Sequence, residues 1–159
     1  MPDKNLAPLF EPESIAVIGA SGKPGKVGHS VVSNLIEAGY QGKIFPVNPK
    51  GGEILGREVV TQISGLPSPL DMAVICIPPG HVMDAMRELA KVGTRSVVVI
   101  TAGFKEIGRE GYYLEQELAG FAEENGMALL GPNCLGLMNP KVGLNASFAA
   151  GQANAGNIA

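Results

Sequence analysis

Apolar runs of strand length alternate along this chain with segments of helical spacing, and a glycine- or proline-rich break separates most of them. Ser14 to Ile18 is the first apolar run. Val27, Val31 and Leu35, at four-residue steps, predict an amphipathic helix, and Lys43 to Asn48 predicts a second strand. The connection from Glu53 to Leu70 holds Gly56, Gly65, Pro67 and Pro69. Its middle, Glu58 to Ile63, fits either a short strand or a single helical turn. Met72 to Ile77 is the third main strand, stopped by Pro78-Pro79-Gly80. Val82 to Val92 follows as a helix with Val82, Met86, Leu89 and Ala90 on its apolar face. Ser96 to Ile100 is apolar almost without interruption and β-branched, the pattern of a strand buried on both faces of a parallel sheet. Gly111 to Asn125 predicts a third helix capped by Gly126, and Met127 to Leu130 a fifth strand. In the tail, Leu144 to Phe148 reads as a short strand, Gln152 to Gly156 as a turn, and Asn157-Ile158-Ala159 as the start of another strand.

This alternation predicts an α/β fold: a doubly wound, mostly parallel Rossmann-like sheet with helices on both faces. In such sheets the ligand lies beyond the carboxyl ends of the strands. The unusual loops all follow strands: Gly19–Gly28, Pro49–Gly52, Pro78–Gly80, Thr101–Phe104 and Gly131–Gly136. They are therefore expected to line one edge of the sheet.

The first of these loops carries the most chemistry. Gly19-Ala-Ser-Gly22-Lys-Pro-Gly25 joins a strand to a helix, where backbone N–H groups can hold phosphate oxygens. At the end of the second strand an NAD-binding fold normally offers Asp or Glu to the ribose hydroxyls. Here the chain has Asn48-Pro49-Lys50-Gly51-Gly52. A cation there suits a phosphorylated ribose, so the expected ligand is CoA or NADP rather than NAD.

Size and composition narrow the setting. At 159 residues a single domain with a real core is expected. A net charge of −3 argues against general nucleic-acid binding or a membrane surface. The absence of a run of about 18 apolar residues, and the polar Met1-Pro2-Asp3-Lys4 start, favour a cytoplasmic protein. Cys76 reads as a buried strand residue and Cys134 as a packing residue in a glycine-bounded loop. His29 and His81, each at a helix start, read as capping or surface residues, and no metal site is expected. Asp71 reads as a turn or sheet-end residue. Glu115, Glu117, Glu123 and Glu124 read as a solvated helix face.

The four motifs Gly19–Gly25, Val47-Asn-Pro-Lys-Gly-Gly52, Ile100-Thr-Ala-Gly-Phe104 and Gly131-Pro-Asn-Cys-Leu-Gly136 come in the order found in NDP-forming acyl-CoA synthetases. The chain resembles their N-terminal CoA-binding domain, which is similar to that of the succinyl-CoA synthetase alpha subunit. That resemblance implies a domain that holds coenzyme A (or acyl-CoA) while other domains or subunits carry a phosphohistidine and an ATP-grasp nucleotide site. It implies CoA-phosphate contacts at Gly19, Ser21, Gly22, Lys23, Pro24 and Gly25, and a matching basic turn at Val47, Asn48, Pro49 and Lys50. Ile77 and Pro78 match the strand end beside adenine and pantetheine. Ile100, Thr101 and Ala102 match a third contacting segment, and Asn133 and Cys134 the place where the thioester end arrives. Thr101 and an apolar trench of Val47, Ile77, Pro78 and Phe104 are expected to hold the pantetheine arm. Succinate-specific members have Glu after the Thr, whereas Ala102 stands here, which leaves acetate-like or longer acyl groups open. On this reading the chain is a domain cut from a longer multidomain protein, binding CoA but not active alone. The alternatives are an NADP-binding domain of an oxidoreductase and a non-catalytic CoA-sensing region of a protein acetyltransferase.

Overall fold

The computed structural model describes residues 6–156. In chain order its elements are α1 (Ala7–Phe10), β1 (Ser14–Ile18), α2 (Val27–Glu37), β2 (Lys43–Val47), β3 (Glu53–Ile54), β4 (Arg57–Glu58), β5 (Met72–Ile75), α3 (Val82–Lys91), β6 (Ser96–Val99), α4 (Arg109–Glu124), β7 (Ala128–Leu130), β8 (Gly136–Asn139) and β9 (Leu144–Ser147).

The central sheet is wholly parallel, in the order β2-β1-β5-β6-β7. Ile18 stands opposite Val47 on one side and Ile75 on the other, so the strands end level with each other at their carboxyl ends. Beyond β2 a single residue, Val60, forms a parallel bridge to Val47. Its N–H donates to the Pro46 carbonyl, and its own carbonyl accepts from the Asn48 N–H. Counting this bridge as a strand gives the order 3-2-1-4-5-6 of the Rossmann fold, with the winding direction reversing between β1 and β5. The stretch Glu58 to Ile63 thus contains a piece of each expected alternative. It starts at the end of the small β3–β4 hairpin, bridges the sheet at Val60, and runs into a 3₁₀ turn over Ile63–Gly65.

Period-two alternation divides the strand side chains between two cores. Ile15 and Val17 of β1 face one side with Val74 and Val98, under Val31, Val32 and Leu35 of α2. Ala16 and Ile18 face the other with Ile75, Val97 and Val99, under Val82, Ala85, Met86 and Leu89 of α3 and Leu118 and Ala122 of α4. The expected face of α3 is correct except that Ala85, not Ala90, completes it; Ala90 is only partly buried. β5 and β6 are buried at every position, as continuous apolar strands in a parallel sheet should be.

One cover was not expected to be a strand pair. β8 and β9 form an antiparallel hairpin, and its Leu144 and Ala146 join the α2 side of the core beside Leu130 and Leu137. The sequence predicts a strand at Leu144–Phe148 but not its partner β8, whose first residue, Gly136, falls in an expected loop. Gln152 to Gly156 adopts no regular structure rather than a turn. The further strand expected at residues 157–159 lies outside the described residues. α4 begins two residues before the expected Gly111, and Gly126 follows its end in the left-handed conformation, φ +66°, that stops a helix. No helix among the described residues is long and apolar enough to cross a membrane.

Asp71 joins the amino ends of three strands, opposite the loop edge. Its carboxylate accepts from the Glu13 N–H at 3.0 Å, the Ser14 hydroxyl at 3.3 Å and Arg95 Nη1 at 3.0 Å.

Candidate functional site

The carboxyl edge of the sheet is built from close backbone contacts that only glycine allows. Gly19 leaves β1 at φ +88°, and a Cβ there would lie 2.7 Å from the Cys76 carbonyl oxygen and 2.8 Å from Ile77 Cγ2. Its N–H donates to the Val47 carbonyl at 3.0 Å, so the glycine loop starts at the meeting of β1, β2 and β5. Gly28, in the first turn of α2, rests on this loop so closely that a Cβ would fall 2.1 Å from the Gly19 carbonyl oxygen. These two glycines bring the α2 N-terminus against the strand end. Around Gly22 and Gly25, by contrast, nothing stands within 4 Å of an added Cβ.

Side chains fix the loop's shape. The Lys23 N–H donates to Ser21 Oγ at 3.1 Å, and His29 Nδ1 donates to the Ser21 carbonyl at 3.0 Å. Asn48 spans the loop and the basic turn: its Nδ2 donates to the Ala20 carbonyl at 2.9 Å, and its Oδ1 accepts the Lys50 N–H at 2.9 Å. Ser21 and Asn48 therefore act first as scaffolding. Lys23, Lys26 and Lys50 are exposed and form no ion pair with a described residue.

Two clefts open along this edge. The first, about 490 Å³, lies at the β1–β5 switch and is lined by Gly19, Val47, Asn48 and Pro49 on one side and Ile77 and Pro78 on the other. The second, about 440 Å³, lies beyond β5, β6 and β7 and is lined by Ile77, Ile100, Thr101, Ala102 and Asn133. Ile77 is the wall they share. Ser21, Gly22, Lys23, Pro24, Gly25 and Lys50 line neither cleft. They form rims, exposed except at half-buried Ser21: the glycine loop runs from Gly19 in the first cleft to just before Val27 in the second, and Lys50 follows Pro49.

Several expectations are corrected here. Phe104 does not line a trench; it is 1% exposed, anchored in the α3–α4 core, and Gly111 of α4 packs against its carbonyl. The Thr101 hydroxyl donates to the Ile77 carbonyl at 2.7 Å and its oxygen retains acceptor capacity, so the expected bond to an arm amide is narrowed to one that Thr101 accepts. Cys76 is not inside a strand but one residue past β5, and with Cys134 it forms part of the second cleft's wall. Burial, reinforced by the neighbouring Cys134 sulfur, pushes the Cys76 thiol up to about 12. Burial raises Cys134 too, and its thiol donates to the Val99 carbonyl at 3.4 Å. Glu115 is not simply solvated: it pairs with Lys105 Nζ at 3.0 Å.

Outside the expected site residues, Thr61, Gln62 and Ile63 reach the first cleft because Val60 bridges β2, and His81, Asp84 and Glu88 line its α3 side. Val27, Leu135 and Phe148, likewise not expected there, stand around the second cleft. His81 lies one residue before α3, a position that could have suggested it, since that helix starts directly after the β5 loop.

Residues 13–140 match the family described as CoA binding domain. The acetate–CoA ligase [ADP-forming] I subunit alpha of Pyrococcus furiosus is 47% identical over 91% of this chain and 32% of its own length. A trans-feruloyl-CoA synthase from an unknown prokaryotic organism is 46% identical over 82% of this chain and 18% of its own. In structure, the dinucleotide forming acetyl-coenzyme A synthetase 1 of Candidatus Korarchaeum cryptofilum, in complex with phosphate and ADP, superposes with a TM-score of 0.88 at 39% identity, over 92% of this chain and 31% of that one. The chain thus spans about a third or less of each of these three relatives. With its Rossmann strand order, glycine loop and switch-point cleft all falling within the matched residues, this chain belongs to the CoA-binding domain family.

Proposed function

We propose that this chain is the CoA-holding domain of an ADP-forming acyl-CoA synthetase. The observation that carries the reading is that the chain is almost equally similar, at 47% and 46% identity, to proteins named for acetate and for trans-ferulate. A domain common to enzymes of such different acids is suited to the component they share, CoA, with the acid selected elsewhere. Family membership counts against the NADP-oxidoreductase alternative.

The geometry fits CoA in two parts. The exposed glycine loop, open around Gly22 and Gly25, has room for the diphosphate beside the α2 N-terminus. Lys50, without an ion-pair partner among the described residues, is available to the 3′-phosphate. The nucleotide end occupies the first cleft, and the arm crosses Ile77 into the second, where the Thr101 hydroxyl oxygen can accept from an arm amide. Asn133 and Cys134 lie near the thiol. Other domains or subunits of the synthetase supply the phosphohistidine and ATP-grasp parts, and the reaction runs in the cytoplasm. This domain's contribution is positioning: a held thiol meets an acyl phosphate with much of the entropic cost already met.

The test is calorimetric titration of the chain with CoA, dephospho-CoA, NADP and NAD. Saturable CoA binding, weaker for dephospho-CoA and undetectable for NAD, is expected. In Lys50→Ala the preference for CoA over dephospho-CoA should shrink by about tenfold, the value of one charge-assisted phosphate contact. A preference for NADP would overturn the reading, and equal losses for both CoA forms would remove Lys50 from the 3′-phosphate.

A further inference from the structure

We propose that Glu106 is a positioning residue for the pantetheine side of the site, holding the Thr101–Phe104 loop in shape from outside the cleft. The inference rests on the CoA reading above. Glu106 is an exposed carboxylate that turns back to accept from its own loop's backbone. Glu106 Oε1 accepts the N–H of Gly103. The N–H groups of Gly103, of Glu106 itself and of Phe104 together hold its carboxyl below the usual range.

The loop needs such a tie. Thr101 is fixed at the strand end by its hydroxyl, and Phe104 is fixed in the core. Between them Ala102 is exposed at the second cleft, and Gly103 turns at φ +107° with no side chain of its own. Gly103 also packs against the neighbouring cleft loop, since a Cβ there would stand 2.8 Å from Pro79 Cγ. The shape of the Thr101–Ala102 wall therefore depends on where the Gly103 peptide is held, and Glu106 is the side chain that bonds it. Charge matters because several N–H dipoles converge on one group, which favours a carboxylate over an amide.

Calorimetry on the full chain, with CoA and with adenosine 3′,5′-bisphosphate, which lacks the arm, tests the assignment. Glu106→Ala should weaken CoA by about tenfold while changing the bisphosphate by less than about twofold, and Glu106→Gln, which keeps an acceptor oxygen, should fall between. Equal losses on both ligands, or no loss on CoA, would overturn it. Amide exchange of Gly103 and Phe104, followed by NMR, provides a readout independent of ligand. Both should exchange faster in Glu106→Ala, and unchanged rates would sink the proposal. If the parent chain takes up no CoA, the CoA reading fails, and the exchange rates still decide whether Glu106 holds the loop.

Discussion

Two neighbouring glycines, Gly22 in the loop and Gly28 in the first turn of α2, should respond to substitution in opposite ways. Gly22 has open space where a Cβ would stand and a φ that any residue adopts. Gly22→Val should change stability by no more than about 0.5 kcal/mol yet crowd the diphosphate and abolish most CoA affinity. At Gly28 the added methyl would collide with the Gly19 backbone at 2.1 Å, which has no flexible tip to move aside. Gly28→Ala should therefore cost about 3 kcal/mol or more. Thermal unfolding beside calorimetric titration separates the two, and an intact fold in Gly28→Ala would contradict the packing described. The thiols make a second prediction at this scale. Cys76 titrates up to about 12 in the fold, against 9.0 when exposed, so between these values the folded chain keeps a proton that the unfolded chain gives up. Its contribution is complete below about 9 and lost as pH rises toward 12. Tyr40, whose buried hydroxyl donates to the Pro12 carbonyl at 2.7 Å, adds loss of the same sign from higher pH. Stability measured from pH 8 to 11 should fall less steeply in Cys76→Ala than in the parent; parallel curves would mean that the thiol is not buried as described.

At the scale of elements, the β8–β9 hairpin does work usually given to a helix, covering the sheet beside α2. What joins the two is Asn34, a polar residue in the buried face of α2 and only 8% exposed. Its Nδ2 donates to the Ser147 carbonyl at 2.8 Å and the Ala149 carbonyl at 3.0 Å. Asn34→Leu keeps the number of side-chain heavy atoms, though in a bulkier group, and leaves those carbonyls without their donor, which should cost about 1–3 kcal/mol. A lowered urea midpoint with an unchanged slope is the expected result. A variant as stable as the parent would mean that water or neighbouring groups replace the amide.

For the whole molecule, the parallel register sets where function can sit. Because β1, β2 and β5 end level, the loops after them must meet, and because the winding reverses between β1 and β5 they leave a crevice there. The opposite edge is closed by Asp71 and its partners at the strand amino ends. A ligand bound across several of these loops should stabilise the entire chain. At a free CoA concentration about a hundred times Kd, linkage predicts about 2.7 kcal/mol. For a domain of this size that should raise Tm by about 5–10 °C. Dephospho-CoA should give a smaller rise, and no shift with CoA would contradict a site built on the folded sheet edge.

The order of strands and helices, the glycine loop and the basic turn were all legible in the sequence. Each depends on local features: apolar runs, four-residue spacing, and turns that need glycine or proline. Right-handed crossovers then bring the loops after the strands to one edge, and Gly19, Val47, Asn48, Ile77, Thr101 and Asn133, named from that edge and from the family resemblance, line its two clefts. The tertiary structure alone decided what depends on a distant partner. It turned Phe104 into the core, paired β8 with β9 over α2, and brought Thr61 to Ile63 to the first cleft through the single bridge at Val60. No local pattern records those outcomes, because which face a loop side chain takes, and which strand a short segment meets, is set by packing energy shared among residues far apart in sequence.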